Sequence, residues 1–201
     1  MATRANYVFI DYPYKKDENG KWVKDPAQIV ELKKGISNET PLIKDGYKVY
    51  IHSDGYPSYT LPKLFDFLNY PASISRGNDP SYLTAWFVAD RAVNDILKYR
   101  VAFSREDISV LDDSYGDFIK NYESRGKDIG EIDDYTGIGL LNGLAGWTDY
   151  TYVIVPDTHL EGAIIKVDGF RIFIFDYEFN FIDEVHSTDD LKEIEQLEWW
   201  D

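Results

Sequence analysis

The predicted fold rests on residues 47–91, which read YKVYIHSDGYPSYTLPKLFDFLNYPASISRGNDPSYLTAWFVADR. Over residues 47–52 the pattern is that of a strand, with Val49 and Ile51 on one face and Tyr50 and His52 on the other. Turn-forming residues follow the strand and recur before residue 80. The stretch therefore predicts a strand, a helix, a tight loop and a longer helix.

Spacing and capping signals predict the two helices. The apolar residues at helical spacing in the first helix are Leu61, Leu64, Phe65 and Leu68. Asp79 before Pro80 is a typical helix start, because a carboxylate caps free backbone N–H groups and proline fits the first turn. We expect the second helix to run to about residue 100.

The first 46 residues are predicted to add short strands to an edge of the sheet. Residues 7–10 form an apolar run, and Asn19-Gly20 is a hairpin signal because both residues tolerate positive φ. Residues 29–32 are predicted as another strand and residues 35–46 as a loop. Two or three short strands are marginal alone, so we expect them to join the main sheet.

The second half of the chain is predicted to be rich in strands. Strands are expected at residues 135–140, 150–155, 163–167, 170–175 and 179–185. Asp168-Gly169 predicts a tight hairpin turn between two of them. A last helix is expected to begin at Ser187. Trp199 and Trp200 then either dock on the body or face a partner.

Together these elements predict an α+β fold. Its mostly antiparallel sheet carries two central helices on one face, and a short helix ends the chain. We expect a single domain over residues 1–201. Its parts are an N-terminal β edge addition (1–46), a strand-helix-helix segment (47–111), an acidic excursion (112–134), and β hairpins with the C-terminal helix (135–201). The excursion is a lid, an interface or a plain connection.

Composition excludes several classes of function. The chain has 36 Asp and Glu against 21 Lys and Arg, a net charge of −15. This charge repels phosphate backbones and anionic membranes, so we expect no direct nucleic-acid or membrane binding. The absence of cysteine excludes disulfides, thiolate metal sites and cysteine nucleophiles. With no signal peptide or long apolar segment, we expect a cytoplasmic protein.

His52 and Asp54 are the first candidate site residues. They lie two positions apart at the end of the predicted strand, where they could bond the polar edges of a ligand or act as an acid/base pair. No further ligand lies nearby in the sequence, so we expect no metal and no cofactor. Alternatively, Asp54 only fixes the turn and His52 is a partly buried ring.

The loop before the second helix supplies the other candidates. Arg76 beside Asn78 and Asp79 could form a fork for phosphate or carboxylate, because free N–H groups at a helix start favour anions. Alternatively, Asp79 is only the cap and Arg76 pairs with a surface carboxylate. Tyr56 and Tyr59 could stack on a ring of the same ligand.

Four segments resemble a group of small, largely uncharacterised proteins of phages, prophages and archaea. They are His52-Ser-Asp54-Gly55-Tyr56-Pro57, Arg76-Gly-Asn78-Asp79, Thr136-Gly137-Ile-Gly139 and Asp149-Tyr-Thr-Tyr152-Val-Ile. This resemblance covers residues 47 to about 168 and implies a mobile-element setting with a counter-defence role. Residues 1–46 and 112–134 lie outside it.

Three functions follow from these patterns. The first is non-catalytic binding of a small anionic, nucleotide-like ligand, as a sponge for a host immune signal. The second is an acidic protein that binds and inhibits a basic nucleic-acid-binding effector, such as a host defence protein. The third is a hydrolase that uses His52 as base and Asp54 as its orienting partner. The patterns also allow a homo-oligomer.

Overall fold

The computed structural model describes residues 3–52, 55–91, 138–161 and 164–186. The strands are β1 (Ala5–Phe9), β2 (Tyr14–Lys16), β3 (Trp22–Lys24), β4 (Tyr47–Ile51), β5 (Ile138–Leu141), β6 (Tyr150–Glu161), β7 (Ile164–Phe175) and β8 (Phe181–Val185). A six-stranded sheet has the order β5-β4-β1-β6-β7-β8, and β2 pairs with β3 in a separate hairpin. Among the described strands, only β1 and β6 pair in parallel, so the sheet is mostly antiparallel, as predicted.

Helices accompany both faces of the sheet. They are α1 (Pro26–Leu32), α2 (Pro41–Asp45), α3 (Pro57–Leu68), α4 (Pro71–Ser75) and α5, which is described over residues 80–91. The predicted central helices, α3 and α5, share one apolar core with Tyr7 and Val49. On the other face, α1 and α2 share a second core with Val8. The α+β prediction is confirmed, and the two central helices share one face as predicted, while the unpredicted α1 and α2 lie on the other face.

The N-terminal strand lies in the interior of the sheet, which corrects the predicted edge addition. β1 pairs with β4 on one side and with β6 on the other. All five of its residues are buried, because adjacent residues enter the cores on opposite faces of the sheet. An apolar run without alternation is typical of a strand covered on both faces. The Asn19-Gly20 hairpin signal is confirmed, since β2 and β3 pair on either side of Gly20 at φ 76°. This hairpin does not join the main sheet, as had been expected, but forms a separate two-stranded sheet.

Two segments before β4 are helical where a strand and a loop were predicted. Residues 29–32 belong to α1, whose buried side chains Ile29 and Leu32 are three residues apart while Val30 is exposed. Residues 41–45 form α2, which buries Ile43. Both helices have proline in the first turn, which is a typical helix start. In α1 the helix forms although Ile29 and Val30 are β-branched, the composition from which a strand was predicted.

The predicted hairpin turn at Asp168-Gly169 is wrong. β7 continues through both residues, and the pairing passes from Asp157–Gly169 to Thr158–Val167. Asp168 is therefore an extra residue in β7, a β-bulge. From residue 164 onwards, the strands predicted at 163–167 and 170–175 are parts of this one strand. The predicted C-terminal helix, Trp199, Trp200 and the acidic excursion lie outside the described residues.

Candidate functional site

An open cleft of about 760 Å³ lies where three elements meet. Its walls come from the segment after β1, the α2–β4 junction, and the loop that leads into α5. Small-molecule sites in proteins are usually clefts of roughly 300 to 1,000 Å³. The size of this cleft therefore suits a small ligand.

Asp79 is the central polar residue of the cleft. Its Oδ1 accepts hydrogen bonds from the Ser81 hydroxyl at 2.6 Å and from the Tyr82 backbone N–H at 3.0 Å, so the predicted helix cap is confirmed. Its Oδ2 lies 3.0 Å from Nη2 of Arg76. The hydrogen bonds from Ser81, Tyr82 and Arg76 lower the pKa of Asp79 to about 2.

Gly77 fixes the loop that carries these groups against β7. A Cβ at this position would lie 2.8 Å from the ring of Phe170 and 2.9 Å from a methyl group of Val167. Only glycine allows this close approach without movement of the buried Phe170. The loop also closes on itself, since the Asp79 N–H donates to the Arg76 carbonyl at 2.9 Å.

Asp11 and Asp45 add two further carboxylates to the cleft lining. Asp11 retains contact with solvent, yet partial burial in the cleft raises its pKa, and the negative charge of Asp79 adds to this effect. Arg76 is the single Lys or Arg among the lining residues that the structure describes. Three carboxylates against one guanidinium give the lining a formal charge of −2.

Aromatic rings form much of the remaining wall. Tyr12, Tyr14 and Tyr47 all line the cleft. Tyr12 and Tyr14 meet edge to face with ring centres 5.7 Å apart, while Tyr47 is 48% exposed. Ring faces of this kind stack on planar groups and attract cations.

The structure divides the predicted site residues between two places. Arg76, Asn78 and Asp79 line the cleft, at the end of β4 that begins with Tyr47. His52 follows the opposite end of β4 and is not part of the lining. The single pocket that was to unite these groups is therefore not formed.

His52 belongs instead to an aromatic group at the far end of β4. Its Nδ1 is 2.8 Å from the Tyr50 hydroxyl, and the Tyr50 ring meets Trp147 edge to face at 4.5 Å. The Arg4 guanidinium lies 5.5 Å from the centre of the Trp147 ring. Within the described residues, the partner of His52 Nδ1 is thus a phenol and not the carboxylate that the hydrolase hypothesis requires.

Two of the other predicted residues, Tyr56 and Tyr59, are also outside the described cleft lining. Tyr56 is the residue before α3, and Tyr59 lies on the exposed side of that helix under the ammonium group of Lys63. Asp54 lies outside the described residues. Among the residues that the structure does describe, no three His, Cys, Asp or Glu side chains come together as a metal site.

Known proteins offer no guide to this cleft. No family model, no curated protein and no solved structure matches the chain. Over the described ranges, no helix has the length and apolar character needed to cross a membrane.

The sequence prediction missed the residues that come to the cleft from the N-terminal part. Asp11, Tyr12 and Tyr14 follow β1 directly, and Gln28 comes from α1. A usable signal was present, because polar residues directly after a continuous apolar strand often lie at the edge of a site. An edge position for this segment does not bring its polar residues to the site, whereas the interior position of β1 does.

Proposed function

We propose that this protein is a non-catalytic binding module and that the cleft beside the Arg76–Asp79 loop holds a small polar ligand. One observation carries the proposal: the lining of a cleft of about 760 Å³ combines tyrosine rings with carboxylate groups and one guanidinium. Small-molecule sites are usually pre-formed clefts whose polar groups fix the ligand's orientation, and seven of the fifteen described lining residues here are polar or charged.

The rigidity of the cleft supports this proposal. Asp79 is held by three hydrogen bonds, and Gly77 allows its loop to pack tightly on β7. Tyr14 is held by a hydrogen bond between its hydroxyl and that of Thr158 at 2.8 Å. Groups held in place before binding lose little conformational entropy when a ligand arrives.

The other predicted roles rank below ligand binding. The inhibitor of a basic effector depends mainly on residues 112–134, which lie outside the described residues, and it stays a prediction. The hydrolase uses Asp54 to orient His52, and because Asp54 lies outside the described residues this role also stays a prediction; in the described part, Tyr50 contacts His52 Nδ1. The counter-defence role comes from the resemblance alone and also stays a prediction.

The test is native mass spectrometry of the purified protein, followed by thermal-shift titration with nucleotides, amino acids, amines and sugars. Ser81→Trp places a large ring at the cleft, because Ser81 lines it and is exposed. Ser58→Trp is the matched control, since Ser58 is also exposed and also follows the proline at the start of its helix.

We expect the wild type and Ser58→Trp to bind the same small molecule and release it unchanged, and Ser81→Trp to lose it. The proposal is overturned if no compound adds mass or raises the melting temperature. Binding that survives in Ser81→Trp, or a ligand recovered as a reaction product, would also overturn it.

A further inference from the structure

We propose that the cleft selects a cationic ligand, one that presents an ammonium or guanidinium group. This inference rests on the proposed function and names the ligand class of the same site. It replaces the anionic ligand that the isolated Arg-Gly-Asn-Asp motif favours.

The first support is that the groups expected to bind an anion are already paired within the chain. The Arg76 guanidinium pairs with Asp79 and also lies 4.3 Å from the centre of the Tyr82 ring. The helix start that was expected to receive an anion holds the Asp79 carboxylate instead, which accepts the Tyr82 N–H. An incoming phosphate would have to displace Asp79 from both groups and then lie beside it.

The second support is the surplus of carboxylates. Asp11, Asp45 and Asp79 line the cleft, and Arg76 is the one Lys or Arg among its described lining residues. Outside the lining, Lys48 is close enough to Asp45 for their charges to attract, so the surplus rests mainly on Asp11 and Asp79. Asp11 is close enough to Asp79 for the two charges to repel, and this repulsion helps to raise the pKa of Asp11. A cation between these carboxylates would relieve the repulsion, whereas an anion would add to it.

The third support is the aromatic wall. Tyr14 and Tyr47 place aromatic rings in the lining together with the carboxylates. Rings and carboxylates together are the usual surroundings of bound organic cations, because cation–π attraction adds to the ion pair. The ring of Tyr12 is buried and already contacts two cations of the chain, Lys24 at 4.7 Å and Arg171 at 5.7 Å from the ring centre, so the rings offered to a ligand are those of Tyr14 and Tyr47.

The cationic group belongs either to a free small amine or to a Lys or Arg side chain of a partner protein. Isothermal titration at low salt distinguishes them with four probes: agmatine, tetramethylammonium, N-acetyl-arginine amide and AMP. The variants are Asp11→Asn, which removes a carboxylate from the cleft, and Asp66→Asn, which removes an exposed carboxylate of α3 outside the lining.

We expect at least one cationic probe to bind, with affinity reduced about fivefold in Asp11→Asn and unchanged in Asp66→Asn. Binding is expected to weaken with added salt. Tighter binding of N-acetyl-arginine amide than of agmatine would assign the group to a protein partner, and the reverse order to a free amine.

The inference is overturned if no cationic probe binds, or if Asp11→Asn and Asp66→Asn weaken binding equally. AMP that binds the wild type and fails to bind Ser81→Trp would overturn the cationic class while leaving the cleft as the binding site. Failure of the proposed function and failure of the ligand class are therefore distinguishable. The effect of Ser81→Trp tests whether the cleft binds a ligand, and the effect of Asp11→Asn tests whether that ligand is cationic.

Discussion

Asp79 caps helix α5 with one oxygen and pairs with Arg76 through the other. Oδ1 accepts the Tyr82 backbone N–H at 3.0 Å, and Oδ2 lies 3.0 Å from Nη2 of Arg76. The Asp79 carboxylate therefore occupies both the backbone N–H at the start of α5 and the Arg76 guanidinium, the two groups that an external anion would need. The same contacts order the loop at the cleft.

Loss of the cap is expected to destabilise the protein modestly. Asp79→Ala removes the acceptor for the Tyr82 N–H and should lower the free energy of unfolding by about 1 kcal/mol. Asp79→Asn keeps a capping oxygen and should cost less than Asp79→Ala. Urea denaturation of both variants measures this difference, and equal losses would show that the cap contributes nothing.

The lowered pKa of Asp79 predicts acid sensitivity. A carboxyl group whose pKa is lower in the folded than in the unfolded protein stabilises the fold at neutral pH, and the effect fades as pH falls. The stability difference between wild type and Asp79→Asn should therefore be constant above about pH 5. It should shrink as pH falls from about 4 towards 2, because the pKa falls on folding from 3.8 to about 2. A difference that stays constant down to pH 2 would contradict this account.

Gly77 is expected to tolerate no side chain. Gly77→Ala would place a methyl group 2.8 Å from the Phe170 ring and should cost about 1 to 3 kcal/mol. Gly146→Ala is the control, since a Cβ there meets nothing within 4 Å and its φ is not positive. Thermal unfolding of both variants gives the comparison, and a Gly77→Ala protein as stable as the Gly146→Ala protein would refute the prediction.

Asn6 is expected to be among the most sensitive polar positions. Its buried side chain accepts the Ala145 N–H and donates to the Ala145 carbonyl and to the hydroxyls of Thr148 and Thr151. Asn6→Ala removes the acceptor of the Ala145 N–H and the donor to the Thr151 hydroxyl in a buried site, and should cost about 3 kcal/mol.

Asn38→Ala is the control for this prediction. Asn38 is exposed and binds the same loop through the Leu144 N–H at 2.6 Å, so its loss should cost only about 1 kcal/mol. Denaturant unfolding compares the two variants. An equal loss of unfolding free energy in both variants would show that the burial of Asn6 does not increase the stability that its hydrogen bonds provide.

Local signals in the sequence predicted much of the fold. The alternation around Val49 and Ile51, the stripe from Leu61 to Leu68 and the Asp79 cap were all confirmed, because each depends on neighbours within one or two turns. The errors depended on distant partners. Nothing near β1 in the sequence shows that β4 and β6 flank it, and the Asp168 bulge is defined only by its opposite strand.

The candidate site was predicted only in part, for the same reason. Arg76, Asn78 and Asp79 were placed correctly at one helix start, but the other walls come from Asp11 and Tyr47. Proximity in sequence suggested that His52 would join them, whereas β4 holds it at the opposite end. The motif also gave no indication that the Asp79 carboxylate would form an ion pair with the Arg76 guanidinium.

The most direct test of the central claim is the effect of Arg76→Gln on agmatine and AMP binding, measured by isothermal titration with circular dichroism to confirm folding. A cation-selecting cleft gains negative charge when Arg76 is neutralised, so we predict that agmatine binds Arg76→Gln at least as tightly as the wild type and that AMP binds neither. Loss of agmatine binding in a folded Arg76→Gln protein, or AMP binding that Arg76→Gln abolishes, would contradict the account.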